Sequence, residues 1–349
     1  MEVPILLPKI FNYPFTYICN QKKIKNLNQG DIVLVPFGKK KEIGVVWDQI
    51  KETEKKIQLK QIEKKVSNIK LNKKIIKFIN WFSVYNIVPR GMILKMCLGN
   101  LKNFDEKKRK KIIKKKIKSS DYILNPEQKS ALNNLTASGD KFHVSVLQGI
   151  TGSGKTIVYF EALKKILEKG FQGLIMLPEI GLTNQFEKKF IEFFGFKPAI
   201  WHSAITKKNK EIIWSGIING KIDVVIGARS SLFLPFKKLG LIIVDEEHDQ
   251  SYKQDEGVIY NARDMAISRA SFENIPVNLI TAVPSVETYE NIKKKKYRIS
   301  KLTQRYKNAS LPNYEIINLN DVELENQSWI SKEVIKKVNF HLEKKDQVL

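Results

Sequence analysis

The sequence predicts an α/β protein: a parallel sheet covered on both faces, preceded by a smaller β-rich unit. Three observations predict it. From Asn125 onward, short apolar runs alternate with helical stretches, the pattern of strands buried on both faces by crossover helices. Residues 1 to 100 instead carry strands punctuated by turn residues. The composition, 42% hydrophobic and 28% charged over 349 residues, suits a folded chain of two or three domains.

In chain order, Gly30-Asp31 is a turn signal, and Ile32-Val33-Leu34-Val35 reads as a strand ended by Pro36-Phe37-Gly38. A basic hairpin tip, Lys39-Lys40-Lys41, leads to a second strand over Ile43–Trp47. Ile75, Ile76, Phe78, Ile79 and Phe82 form an apolar helical stripe. Trp81 and Tyr85, four apart, share a helix face and read as core in preference to a base-stacking platform. Lys102 to Lys118 is a basic run, either a plain tether or a phosphate-contacting strap. Strands follow over 144–147, 173–177, 224–227, 241–244 and 277–280, with helices over 157–169 and 184–194.

Lysine and arginine total 61 against 36 acidic residues, a net +25. Such an excess suits a polyanionic partner, nucleic acid or an acidic membrane surface, although part of it serves only to solvate a face. Two cysteines, Cys19 and Cys97, exclude a disulfide scaffold and a four-cysteine zinc site, and read as plain thiols in a reducing, cytoplasmic setting. No apolar stretch reaches the ~18 residues of a membrane span, and the start lacks the pattern of a signal peptide.

The chemistry is concentrated in two segments. Gly149, Ile150, Thr151, Gly152, Ser153, Gly154, Lys155 and Thr156 match G-x-x-x-x-G-K-[ST] between a strand and a helix. Glycines let backbone N–H groups turn around phosphate oxygens, and a helix N-terminus adds a favourable dipole. Lys155 supplies a charge for the β and γ phosphates of ATP, and the Thr156 hydroxyl a ligand for Mg²⁺. The second segment is Asp245-Glu246-Glu247-His248, at the end of a buried strand. Asp245 would hold Mg²⁺, mostly through water, and Glu246 would polarise the attacking water. His248 either couples the nucleotide to a bound strand or bonds locally. Gln128, about 20 residues before the loop, is placed to read an adenine edge.

In GITGSGKT, LPEIGLTNQ, WHSAIT, VVIGARSSLFLPFKKLGLIIVDEEHDQSYKQDEG, YNARDMAISRA and KKYRISKLTQR, the chain resembles the PriA (primosomal protein N′) family of superfamily 2 replication-restart helicases. GDIVLVPFGKKKEIGVV and WFSVYNIVPRG resemble that family's 3′-end DNA-binding domain. The resemblance implies a RecA-like P-loop lobe and an ATP-dependent 3′→5′ DNA helicase that recognises abandoned forks. It implies domains over 1–100 (DNA-binding), 101–122 (basic linker, with the winged helix reduced or absent), 123–312 (ATP-binding lobe 1) and 313–349 (towards a missing lobe 2).

Carried over residue by residue, the resemblance implies nucleotide contacts at Gln128 and Gly149 to Thr156, and hydrolysis through Asp245 and Glu246. It implies strand contacts at Pro178 to Thr183, Thr183 included, and at Gly227 to Ser230, Ser230 included, with Arg229 on phosphate. Tyr252 and Tyr260 would stack on bases and Lys253 and Arg263 supply charge, unless that loop is ordinary packing. Forked and single-stranded DNA, other primosome proteins, single-stranded DNA-binding protein and the replicative helicase loader are the implied partners, with no membrane.

The sequence departs from the family pattern in several places. Thr281-Ala282-Val283-Pro284 stands for Ser-Ala-Thr-Pro, so Val283 lacks a hydroxyl of the coupling network. Val258 and Asn261 replace a Trp and a His, and the Phe-Asp-Tyr signature aligns with Phe15-Thr16-Tyr17 or Phe11-Asn12-Tyr13, without the aspartate. A strand is expected to start at Gln347-Val348-Leu349. The second lobe, its arginine finger and the family's zinc cysteines lie outside the chain, which reads as a C-terminally truncated form that hydrolyses ATP slowly. The alternative reading is a non-catalytic fork-DNA scaffold that binds nucleotide; an RNA translocase is a third.

Overall fold

The computed structural model describes residues 1–20, 24, 27–48, 59–99, 122–137, 139, 141–178, 184–305, 315–319, 324 and 329–348. Two compact units emerge, Met1–Tyr306 and Lys307–Leu349. The basic run, Thr183 and most of the expected Pro178–Thr183 contact lie outside the described residues.

The first unit opens with β1 (Glu2–Leu6), β2 (Phe15–Ile18), β3 (Asp31–Phe37), β4 (Lys40–Val46) and β5 (Lys64–Lys70), then α1 (Lys73–Tyr85) and α2 (Arg90–Leu98). The strands form an antiparallel sheet in the order β2-β1-β4-β3-β5. The sequence pattern placed the hairpin tip one residue late. Phe37 pairs with Lys40, so the turn is Gly38-Lys39, with Gly38 at φ +60°, as a two-residue hairpin requires. Alternation sorts the sheet's side chains. Val33, Val35 and Val46 pack with Val3, Ile5 and Tyr17 on one face, while Ile32, Val45 and Leu6 pack against α1 and α2 on the other. Asn72 caps α1 by accepting the Ile75 N–H at 2.9 Å.

The lobe continues through α3 (Pro126–Thr136), β6 (His143–Gly149), α4 (Lys155–Glu168), β7 (Gln172–Met176), α5 (Asn184–Phe194), β8 (Ala199–Trp201), α6 (Lys207–Ile218), β9 (Val224–Gly227) and β10 (Leu239–Val244). Then come β11 (Lys253–Gln254), β12 (Tyr260–Asn261), α7 (Ala262–Glu273), β13 (Pro276–Thr281), α8 (Val286–Lys293) and β14 (Arg298–Leu302). Seven strands form a parallel sheet in the order β14-β6-β13-β10-β7-β9-β8. One face is covered by α3, α4 and α5 through Leu135, Phe160, Leu163 and Phe190.

The opposite face shares a continuous core with α1 and α2, so the antiparallel unit and the parallel lobe are fused. Helix α1 packs on α7. The Trp214 indole donates to Cys97 O at 2.8 Å, Asn72 Nδ2 to Phe236 O at 3.0 Å, and Lys74 Nζ to Glu273 O at 2.6 Å. Arg269, fully buried, donates to the carbonyls of Leu232 and Leu234. Both cysteines are buried, and burial pushes the Cys97 thiol up to about 12, which leaves it unreactive. Trp81 and Tyr85 stack at 4.8 Å, but Tyr85 is 63% exposed. The expected core pair is therefore a surface one at its outer ring.

In the second unit, α9 (Lys332–Glu343) is capped by Ser331, whose hydroxyl accepts the Val334 N–H. Gln347 and Val348 follow without strand structure, unlike the strand the sequence led us to expect there.

Candidate nucleotide site and nucleic-acid groove

The glycine loop leaves the C-terminal end of β6 and runs into α4, at the strand ends where parallel sheets bind ligands. Gly152 and Gly154 sit at φ +83° and +84°, backbone that other residues adopt only with strain. A Cβ on Gly154 would also meet Gln128 Nε2 at 2.5 Å. Gln128 is placed by a reciprocal cap at the start of α3. Its backbone N–H donates to Asn125 Oδ1 at 2.8 Å, and its Oε1 accepts the Asn125 N–H at 3.1 Å. Its Nε2 donates to Ser153 O at 3.0 Å, holding the loop against α3. Lys155 Nζ donates to Gly149 O at 2.7 Å.

A cleft of about 390 Å³ opens here, lined by Gln128, the 151–157 loop, Lys189, Asp245 and Glu246, with Tyr122, Ile123 and Leu124 at one side. The structure thus brings the two sequence segments together. Asp245 directly follows β10 and is half-buried. Its Oδ2 accepts the Tyr159 hydroxyl at 2.8 Å and its Oδ1 accepts the Glu246 N–H at 3.0 Å. Burial pushes the Asp245 carboxyl up to about 6, against the pull of the Tyr159 bond and the Lys155 charge. Glu246 has φ +47°, a left-handed backbone at a non-glycine residue.

The raised carboxyl has a consequence for stability. The folded state keeps the Asp245 proton up to about pH 6, whereas the unfolded chain loses it near 4. The stability it contributes is present below pH 4 and lost as pH rises through 6. Asp245→Asn is expected to remove this part of the pH dependence and to stabilise the nucleotide-free chain at pH 7 by on the order of 2–3 kcal/mol. Urea unfolding at pH 4.5 and 7 for both proteins checks it; equal pH dependence in the two refutes it.

His248 bonds locally. The Thr281 hydroxyl donates to Val283 O at 2.7 Å, so its oxygen accepts from His248 Nδ1–H at 2.8 Å. The segment 281–284 therefore meets His248 through the Thr281 hydroxyl, while the Val283 side chain is exposed. Glu247, which the sequence reading passed over, is 1% exposed. It accepts from Ser285 N at 2.8 Å, Ser285 Oγ at 3.0 Å and Thr288 Oγ1 at 2.9 Å, and pairs with Arg263 at 3.3 Å.

Three of the expected strand contacts are corrected here. Arg263 is buried, its guanidinium held by Glu247, Ser285 and Asp264. Tyr252 is 1% exposed, with its hydroxyl against the carbonyls of Asp245 (2.6 Å) and Met176 (3.0 Å). Tyr260 is buried edge-to-face between Phe82 and Phe233. A buried ring has no free face for a base, so this segment is packing. Lys253 and Ser230 remain exposed, and half-buried Arg229 donates to Lys253 O at 2.7 Å, which gathers the three. Beside them runs a groove of about 1210 Å³, lined by Lys9, Lys40, Lys41, Lys95 and Lys210 together with Phe11, Phe37, Trp201 and Ser230. Tyr13 is exposed and Tyr17 buried, so of the two aligned signatures only Phe11-Asn12-Tyr13 presents its tyrosine.

Lys189, Tyr122 and Tyr159 were not singled out from sequence. Only Tyr159 carried a signal, lying four residues after Lys155 on one helix face. Among the described residues, no group of three His, Cys, Asp or Glu side chains could hold a metal ion, and no helix is long and apolar enough to cross a membrane.

The 3′ DNA-binding domain (3′BD) family model matches residues 2–99 and the DEAD/DEAH box helicase model residues 125–292. The chain is 43% identical over 348 residues to replication restart protein PriA of Rickettsia conorii, covering 99% of this chain and 52% of that protein. It is 36% identical over 236 residues to PriA of Bacillus subtilis, covering 66% of this chain and 29% of that one. A solved structure of RecG bound to a three-way DNA junction is similar over 54% of this chain and 25% of that chain, at 27% identity and TM-score 0.41. The chain spans about half the length of the first of these curated relatives. On the strength of both family models and an identity that runs nearly end to end, the chain belongs to the PriA family of replication restart proteins.

Proposed function

We propose that the chain is the fork-binding and ATP-binding part of a replication restart DNA helicase moving 3′→5′. The observation that carries it is the cleft in which the glycine loop faces Asp245 and Glu246, on a lobe fused to a module matched by the 3′BD model. The polarity follows the family resemblance, as do the other primosome proteins, single-stranded DNA-binding protein and helicase loader as partners. We propose the working division 1–100, 101–122, 123–312 and 313–349 on the same basis.

The residues fit ATP with Mg²⁺. The left-handed glycines and the α4 N-terminus form an anion cradle, and buried Ser153 Oγ has no hydrogen-bond partner. Thr156 and Asp245 are both oxygen donors, as a hard divalent cation requires. When bound, Mg²⁺ would neutralise charge on the phosphate oxygens. Lys155 exchanges its bond to Gly149 O for a phosphate oxygen. Glu246 accepts a proton from the attacking water, and Gln128 keeps the loop in register, with one N–H and one lone pair left for a base edge. Arg229, Ser230 and Lys253 would hold strand phosphates at the mouth of the lysine-lined groove, where half-buried Phe11 and Phe37 offer rings.

Lys155→Ala is expected to weaken ATP binding by about 10–100-fold, as loss of a charge-assisted bond of ~1.5–3 kcal/mol dictates. Titration calorimetry with ATP and Mg²⁺ checks it. No heat for the unaltered chain, or none lost in the variant, overturns the nucleotide reading. Binding of forked DNA that does not respond to ATP would instead favour the non-catalytic scaffold.

A further inference from the structure

We propose that Tyr159 is a positioning residue for the metal ligand Asp245, holding its carboxylate oxygens ready for one divalent cation. The inference rests on the nucleotide reading above and deepens it. Tyr159 is fully buried, on α4. Its hydroxyl donates to Asp245 Oδ2 at 2.8 Å.

The bond has a definite effect on lone pairs. Asp245 is held at both oxygens, Oδ2 by Tyr159 and Oδ1 by the Glu246 N–H, so its carboxylate cannot rotate freely, and one lone-pair direction on each oxygen stays open. Groups that orient a metal ligand in this way change metal affinity about 10–100-fold when lost. The helix geometry supports the same role, because residues three and four apart lie on one face. Thr156 and Tyr159 are three apart, Lys155 and Tyr159 four. A phenylalanine would fill the same volume, so packing alone does not account for the hydroxyl. Tyr260 makes the contrast, since its buried hydroxyl has no partner.

The test is ATP binding to the chain in excess EDTA and across a MgCl₂ titration, for the unaltered protein, Tyr159→Phe, Tyr260→Phe, Asp245→Asn and the Tyr159→Phe/Asp245→Asn double variant. Tyr159→Phe is expected to raise the Mg²⁺ concentration at half-maximal enhancement by about 10-fold or more, with metal-free ATP affinity within about twofold of the unaltered chain. Tyr260→Phe should leave both values unchanged. In the Asp245→Asn background, Tyr159→Phe should add little, because the tyrosine acts through that carboxylate. A Tyr159→Phe titration superimposable on the unaltered one overturns the assignment while leaving the nucleotide site standing. An unaltered chain whose ATP binding ignores Mg²⁺ overturns the nucleotide reading and the tyrosine role with it.

Discussion

Replacing Arg263 by methionine is expected to destabilise the chain by about 3–5 kcal/mol, the cost of leaving one partner of a buried ion pair uncompensated. Arg263 is about 5% exposed and Glu247 about 1%. Without the guanidinium, the Glu247 carboxylate keeps only the Ser285 and Thr288 donors in a site closed to water. Urea denaturation of both proteins reads the difference. A double variant, Arg263→Met with Glu247→Leu, is expected to recover much of the loss, since a well-packed apolar pair often equals or exceeds a buried ionic one. If Arg263 instead served a DNA strand, the single variant would keep its stability and lose affinity for DNA. A loss below about 1 kcal/mol, the ceiling for an exposed pair, would refute the buried role.

This pair shows what the sequence could and could not convey. The glycine loop, the Asp245-Glu246 segment and the parallel sheet were legible because each depends on local pattern: apolar runs buried on two faces, and glycines where positive φ is needed. The partners of Arg263 were not. Glu247 lies 16 residues before it and Ser285 22 after, and they meet only because β10, β13 and α7 pack together. Tyr252 and Tyr260 were misassigned for a related reason. An aromatic in a polar loop looks available for stacking, but here the loop folds back and buries both rings, one against Asp245 O and one against Phe82 and Phe233. The antiparallel unit was half legible. Its central hairpin was evident, whereas β1, β2 and α2 lack a strong period of their own: β1 and β2 pack mainly with β3 and β4 in a separate apolar cluster, and α2 owes its place to the core shared with the lobe. The lysine excess indicated a polyanion but not where it would lie, since a groove drawing Lys9, Lys95 and Lys210 together has no counterpart in sequence spacing.

Glu246 is where activity and stability should separate most sharply. Its carboxylate is expected to take the proton of the attacking water, so Glu246→Gln should lower phosphate release about 10²–10⁴-fold and leave ATP affinity within a few-fold. Its backbone, at φ +47°, carries strain of about 1–2 kcal/mol for an L-residue, of the kind that persists at functional sites because the surroundings enforce it. The enforcement is visible: Asp245 Oδ1 takes the Glu246 N–H, the Glu246 carbonyl accepts the Asp249 N–H at 2.9 Å, and Glu247 N–H is anchored to Ile280 O. Glu246→Gly should match the glutamine variant in lost turnover yet unfold at higher urea. Relief of the strain, less the extra unfolded-chain entropy of glycine, leaves a gain of about 0.5–1 kcal/mol. Measuring phosphate release and urea midpoints for both variants tests the two halves separately. Turnover retained by the glutamine variant would remove Glu246 from the chemistry, and a glycine variant less stable than the glutamine one would show that the turn carries no strain. The expected pairing, a more stable chain that no longer turns over, follows from a carboxylate held where the backbone would not otherwise put it.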